Sequence, residues 1–205
     1  KTDTFTFFLL FFYSNIIGLN PGLAGSAIFI ALCIDAITDP LMGTISDRTN
    51  SSFGRRHPYM FISFIPMSLG YILLFAPRQE WDMSQTDLFI WMTIFTVITR
   101  IGMTLFDIPH RAFGGEVTKD YKERTILMSW REMFAWVAGL SNAFLGYGVF
   151  FASTPEFPKG QLNPDVWFPF ALTGAAIMVF SVLYSSLSTK DEINSLSKWS
   201  GAISL

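Results

Sequence analysis

The chain has 205 residues, a formal net charge of −2, and 51% hydrophobic against 15% charged residues. Soluble domains carry about 25% charged residues, so an ordinary cytosolic enzyme is excluded, as is disorder, which needs low hydrophobicity and high charge. No basic block supports nucleic-acid binding, and a single cysteine, Cys33, excludes an intrachain disulfide framework or a cysteine-cluster zinc site.

A polytopic membrane protein remains, in which each crossing needs about 20 mostly apolar residues. Residues 4–19 form a first apolar and aromatic span that is short for a crossing. Its run Phe7, Phe8, Phe11, Phe12 reads as lipid-facing or packing surface, with Tyr13 and Asn15 as candidate cavity residues. Residues 23–46 form the second span, which carries Asp35 and Asp39. Four residues apart, these carboxylates share one helical face. They repel unless one is protonated or a cation lies between them. Oxygen ligands suit a proton or a hard cation rather than a thiophilic metal. Pro40 beside them removes an amide donor, which frees backbone carbonyls to line a cavity. The plainer alternative wets Asp39 from the loop that follows.

Residues 59–76 form the third span and residues 89–113 the fourth. In the fourth, Arg100, Thr104, Asp107 and Arg111 recur at spacings of four, three and four, one continuous stripe. A charge in a span costs at least about 2.5 kcal/mol on insertion scales, so the stripe faces the bundle interior or a water-filled cavity. Thr104 and Asp107 can offer oxygens to a cation, and Arg100 and Arg111 can neutralise Asp107 or bind solute hydroxyls or carboxylates. The alternative is an internal salt-bridge stripe that only holds helices together. His110 points away from the stripe and reads as a packing residue. Residues 128–152 form the fifth span, opened by Trp130-Arg131-Glu132, which either snorkel to water or lock a neighbouring helix. Residues 167–187 form the sixth. Trp81, Trp91, Trp130 and Trp167 lie near span ends, where interfacial aromatics belong.

Lys and Arg set orientation. Arg48, Arg55 and Arg56 follow the second span, Lys119, Lys122 and Arg124 the fourth, and Lys190 and Lys198 the sixth, while the alternate loops hold only Arg78 and Lys159. Both ends of the chain are therefore expected in the cytoplasm of a multi-pass protein. The expected fold class is an all-α membrane protein with six transmembrane helices.

Three stretches carry a resemblance. One is Asp35-Ala-Ile-Thr-Asp39-Pro40-Leu-Met-Gly43-Thr-Ile-Ser-Asp47-Arg48 followed by Gly54-Arg55-Arg56. The second is Asp107-Ile-Pro109-His-Arg-Ala-Phe-Gly-Gly-Glu116 followed by Thr118-Lys-Asp120-Tyr121-Lys-Glu123-Arg124-Thr125, and the third is Phe11-Phe12-Tyr13-Ser14-Asn15 before Gly18-Leu19. In family order and spacing, they resemble the glycoside–pentoside–hexuronide:cation symporter family (melibiose permease-like) of the major facilitator superfamily. The resemblance implies a cation site at Asp35, Asp39 and Thr104 for Na+ or H+. It also implies solute binding at Asp107 and Arg131, and a cytoplasmic gate of Asp47, Arg48, Arg55, Arg56 and Glu116. Arg111 stands where the melibiose permease has a tryptophan against the sugar, and Arg100 and Arg111 join the solute side as candidates. The Arg111 departure turns the expectation from a galactoside towards an acidic solute. The helix-one carboxylate of the family falls before Lys1.

The resemblance further implies an amino-terminal half. Residues 1–187 form a six-helix bundle with a truncated first helix, residues 188–205 a segment of the cytoplasmic central loop, and a carboxy-terminal six-helix half is the missing partner. The expected activity is cation-coupled symport of a sugar, glycoside or related solute by alternating access, in the plasma (inner) membrane, with no cofactor beyond the coupling ion. A lipid-moving relative and a non-transporting sensor or scaffold on the same fold are the alternatives. A membrane-embedded enzyme is disfavoured: the chain has neither Gly-x-Ser-x-Gly nor His-Glu-x-x-His.

Overall fold

The computed structural model describes residues 2–49, 51, 53–116 and 120–189. All regular structure among them is helical and forms six successive rods. α1 runs over Thr2–Phe11 and continues as the π-helical turn Phe12–Ile17; α2 is Pro21–Arg48. α3 spans His57–Leu74 with a brief interruption at Ser63, and α4 is Gln85–Glu116. α5 is Tyr121–Leu145, prolonged by the π-helical turn Gly146–Phe150, and α6 is Trp167–Ser188. α2 to α6 are each long and apolar enough to cross a membrane, and the first apolar segment, Phe5–Ile17, is shorter. Several helices extend beyond the apolar stretches read from sequence. Arg48 and Glu116, for example, still lie in helix, because a helix can leave the hydrocarbon without breaking its hydrogen-bond ladder.

Local chemistry sets the helix ends. Asn20 caps α2, its Oδ1 accepting the Gly22 amide at 2.8 Å, with Pro21 at the first helical position. Asp120 caps α5 by accepting the amides of Lys122 and Glu123, and Arg124 donates to the Gly115 carbonyl at 2.7 Å, tying the start of α5 to the end of α4. α1 stops at Gly18, whose φ of 84° suits a residue without a side chain.

The core gathers at the end opposite the Asp47–Arg56 loop. Phe8, Phe12, Phe75, Phe151 and Phe170 surround Trp167, whose ring stacks on Phe75 at 5.9 Å. Trp167 is therefore a core residue and not an interfacial aromatic; it is 1% exposed. Its indole N–H is satisfied by the Gln161 carbonyl, as a buried tryptophan requires. Tyr13 likewise departs from its expected place in a cavity: it is buried, and its hydroxyl donates to the Leu74 carbonyl at 2.9 Å. Asn15 bonds back to Phe11 on an exposed face. Of the aromatic run, Phe8 and Phe12 pack inward and Phe7 is exposed.

Two glycines let α3 and α4 touch. A Cβ at Gly102 would stand 2.5 Å from the Met67 amide nitrogen, and one at Gly70 would stand 2.5 Å from Thr99 Oγ1. Small residues at such crossings allow backbones to approach where no hydrophobic drive exists between helices. α5 contrasts with this pair. It packs little on the rest of the chain, and Trp136, Leu140 and Phe144 are largely exposed.

Candidate functional site

α2 and α4 run parallel and hold one register along their length. Near their starts the Asn20 amide donates to Gln85 Oε1 at 2.8 Å. Midway, Arg100 Nε donates to Asp35 Oδ2 at 2.6 Å, and one turn on Thr104 Oγ1 donates to Asp39 Oδ1 at 2.7 Å. A further turn on, a Cβ at Gly43 would meet Ile108 at 3.8 Å. Every one of these pairs is 65 residues apart, as parallel helices of equal pitch require. The two-carboxylate face of α2 and the polar stripe of α4 thus meet as rungs of one ladder.

The first rung is a buried ion pair. Arg100 is 8% exposed, and the Asp35 side chain 19%. Asp35 uses one oxygen for Arg100, while its Oδ1 is buried without a hydrogen-bond partner. Such an orphan acceptor is expensive in a low-dielectric interior. At the second rung Asp39 takes a neutral donor, Thr104. Among the described residues no ion pair forms at Asp39. Thr96, one turn before Arg100, is also buried with an unpartnered hydroxyl. It went unread in the sequence, although its spacing of four from Arg100 extends the stripe.

Beyond the ladder, Asp107 pairs with Arg111 at 2.5 Å along α4, both partly exposed. Arg131, expected to open the fifth span, lies nearly three turns into α5 and pairs with its neighbour Glu132, leaving Nε and Nη1 buried and unpartnered. The sequence groups Arg100 with Asp107, Arg111 and Arg131; in the structure it bonds to Asp35, on the first rung between α2 and α4. His110 stacks on Phe106 at 5.0 Å.

At the loop after α2, Arg56 Nη2 donates to Asp47 Oδ1 at 2.6 Å, with Arg56 buried and Asp47 exposed. Arg48 and Arg55 are exposed. Glu116 closes α4, but its side chain lies outside the described residues, as do Thr118, Lys119, Lys190 and Lys198. His57 Nε2 lies 3.1 Å from Thr189 Oγ1, and its ring meets Phe113 edge-on, joining the starts and ends of α3, α4 and α6.

The oxygen donors at the ladder fit a hard monovalent cation or a proton: an orphaned carboxylate oxygen, a carboxylate in no ion pair among the described residues and a hydroxyl. Five helices long and apolar enough to cross a membrane define an integral membrane protein. The family model described as "MFS/sugar transport protein" matches residues 1–200, and the chain belongs to that family, as a relative of the glycoside–pentoside–hexuronide:cation symporters. It is 33% identical over 192 residues to an uncharacterized symporter of Synechocystis, covering 91% of this chain and 34% of that protein. It is 32% identical to a putative glycoside/cation symporter of Escherichia coli, over 66% of this chain and 29% of the relative. It is also 30% identical to the sodium-dependent lysophosphatidylcholine symporter 1-A of Danio rerio, over 78% and 29% respectively. The chain therefore spans about a third of the length of these relatives.

Proposed function

We propose that this chain supplies the amino-terminal half of a secondary active transporter that couples the movement of a small organic solute to that of Na+ or H+. The observation that carries the reading is Asp39: a carboxylate within an apolar span, turned towards α4, held by Thr104 and, among the described residues, in no ion pair, with Arg111 acting on it only at longer range. A charge within a membrane span is a functional site by default. A cation bound there would neutralise a carboxylate that no ion pair among the described residues balances. Asp35 Oδ1 lies one turn away on the same helix and offers a further ligand.

Asp107, Arg111 and Arg131 would take the solute. Arg131 brings two buried, unsatisfied N–H groups and Arg111 an exposed guanidinium, donors suited to hydroxyls or to an acidic group. The Asp47–Arg56 pair would hold the cytoplasmic side closed when the two halves rock around the midplane. Both ends of this chain then lie on the cytoplasmic side, and the exposed face of α5 has the second half to pack against. Cation and solute would strengthen one another's binding equally, as linkage demands. The names of the symporter relatives support a sugar-like or glycosidic solute. The lysophosphatidylcholine symporter among them supports a second reading, an amphiphilic lipid whose charged headgroup meets the Asp107–Arg111–Arg131 group.

The test is uptake by the full-length protein in proteoliposomes under an imposed Na+ or H+ gradient, with radiolabelled glycosides, uronides and lysolipids in parallel. Accumulation against a gradient that Asp35→Asn abolishes is expected. Uptake indifferent to both gradients and to Asp35→Asn would sink the coupling.

A further inference from the structure

The ladder between α2 and α4 raises a question of charge. Two carboxylates one turn apart within a span form a site of charge −2, suited to a divalent ion or to two monovalent ones. This chain places Arg100 on one of them. Arginine stays protonated in any protein environment, so the guanidinium is a fixed positive charge at the first rung, 2.6 Å from Asp35. We propose that Arg100 is a resident counter-cation: it sets the charge of the Asp35–Asp39–Thr104 site at −1 and so makes the site selective for a single monovalent cation. The inference rests on the cation-site reading above and adds to it the residue that decides ion charge and number.

Three observations support it. Arg100 occupies only Oδ2 of Asp35 and leaves Oδ1 buried and unpartnered, so Asp35 can hold the arginine and still ligate a cation. Arg100 cannot easily swing away to serve a solute, because it is 8% exposed and sits on a rung whose register is repeated above and below it. Arg111 pairs with Asp107 and reaches Asp39 only at longer range, and Arg131 pairs with Glu132, so among the described residues Arg100 is the basic group in direct contact with this carboxylate pair.

A purely mechanical clamp between α2 and α4 predicts something different, and charge arithmetic separates the two. Asp35→Asn alone leaves Arg100 facing Asp39, a site of zero net charge, although the asparagine oxygen can still ligate. Na+ binding should be lost. Asp35→Asn combined with Arg100→Gln returns the site to −1, and Na+ binding should return to within about tenfold of the natural protein. Arg100→Gln alone gives −2. It should bind Na+ about tenfold or more tightly, since removing a like charge a few ångströms from the ion is worth at least that factor at an effective dielectric near 20, and it should gain Ca2+ binding. Arg100→Lys keeps the charge and should keep the natural selectivity.

The measurement is equilibrium binding of radioactive Na+ and Ca2+ to the purified full-length protein in detergent, with thermal stabilisation by each salt as a second readout. If Arg100→Gln or Asp35→Asn fails to fold, because each strands the charge of its partner, the double variant against the natural protein decides alone, since it contains neither stranded charge. A double variant as inert towards Na+ as Asp35→Asn would overturn the proposal while leaving the cation site standing, provided the natural protein binds Na+. A natural protein that binds no Na+ would overturn both.

Discussion

Replacing Gly102 by alanine tests whether the α3–α4 contact fixes the ladder. The added Cβ would lie 2.5 Å from the Met67 amide nitrogen and 2.8 Å from its Cα and Cβ. Carbon contacts are comfortable near 3.5–4.0 Å, so the helices must part by about 1 Å. Two of the three clashing atoms are backbone, and no rotamer change relieves them. Overpacking of this kind costs about 1–3 kcal/mol, and the better helix propensity of alanine recovers about 1 kcal/mol, leaving a net loss of up to about 2 kcal/mol. Gly43→Ala is the internal control. Its Cβ meets only Ile108, at an ordinary 3.8 Å, so it should be neutral or slightly stabilising. Unfolding of both variants in detergent, followed by helical circular dichroism against temperature or SDS, should show a lower midpoint for Gly102→Ala alone. Equal midpoints would mean that α3 and α4 are not in contact as described.

Tyr13→Phe removes the hydroxyl that satisfies the Leu74 carbonyl in the aromatic core. It should lower stability by about 0.5–1.5 kcal/mol in the same unfolding assay and leave uptake kinetics unchanged, because Tyr13 lies in the core and away from the ladder. Asp107→Asn breaks the ion pair that orients Arg111. The solute concentration for half-maximal uptake should rise at least about tenfold, the loss of one charge-assisted contact, and Na+ binding to the purified protein should weaken by a smaller factor, because Arg111, freed from Asp107, also acts on Asp39.

The spans were legible in the sequence because the bilayer demands length and apolarity of each helix separately. The candidate carboxylates were legible because a charge inside an apolar run is costly enough to need a reason. Spacing also placed Arg100, Thr104, Asp107 and Arg111 on one face, and placed Asp35 and Asp39 on another. Periodicity gives the face of a helix but not its neighbour, and that is where the reading from sequence stopped. Thr96 was passed over because an uncharged hydroxyl in an apolar run raises no alarm. Trp167 was read as interfacial because its position at a span end is the same whether the ring turns outward to the headgroups or inward to Phe75.

From the sequence alone came a helical membrane bundle and a short list of costly polar side chains. Tertiary packing alone decided their partners. Close approach at Gly70 and Gly102 seats α4 against α3, and the Asn20–Gln85 bond sets the start of the α2–α4 register. The shared helical pitch then carries that register to the rungs. It gives Asp35 to Arg100 and Asp39 to Thr104, and so sets one carboxylate in direct contact with a guanidinium and the other on a neutral hydroxyl. Which carboxylate meets which donor depends on a relative shift between two rods, a quantity that no single helix encodes.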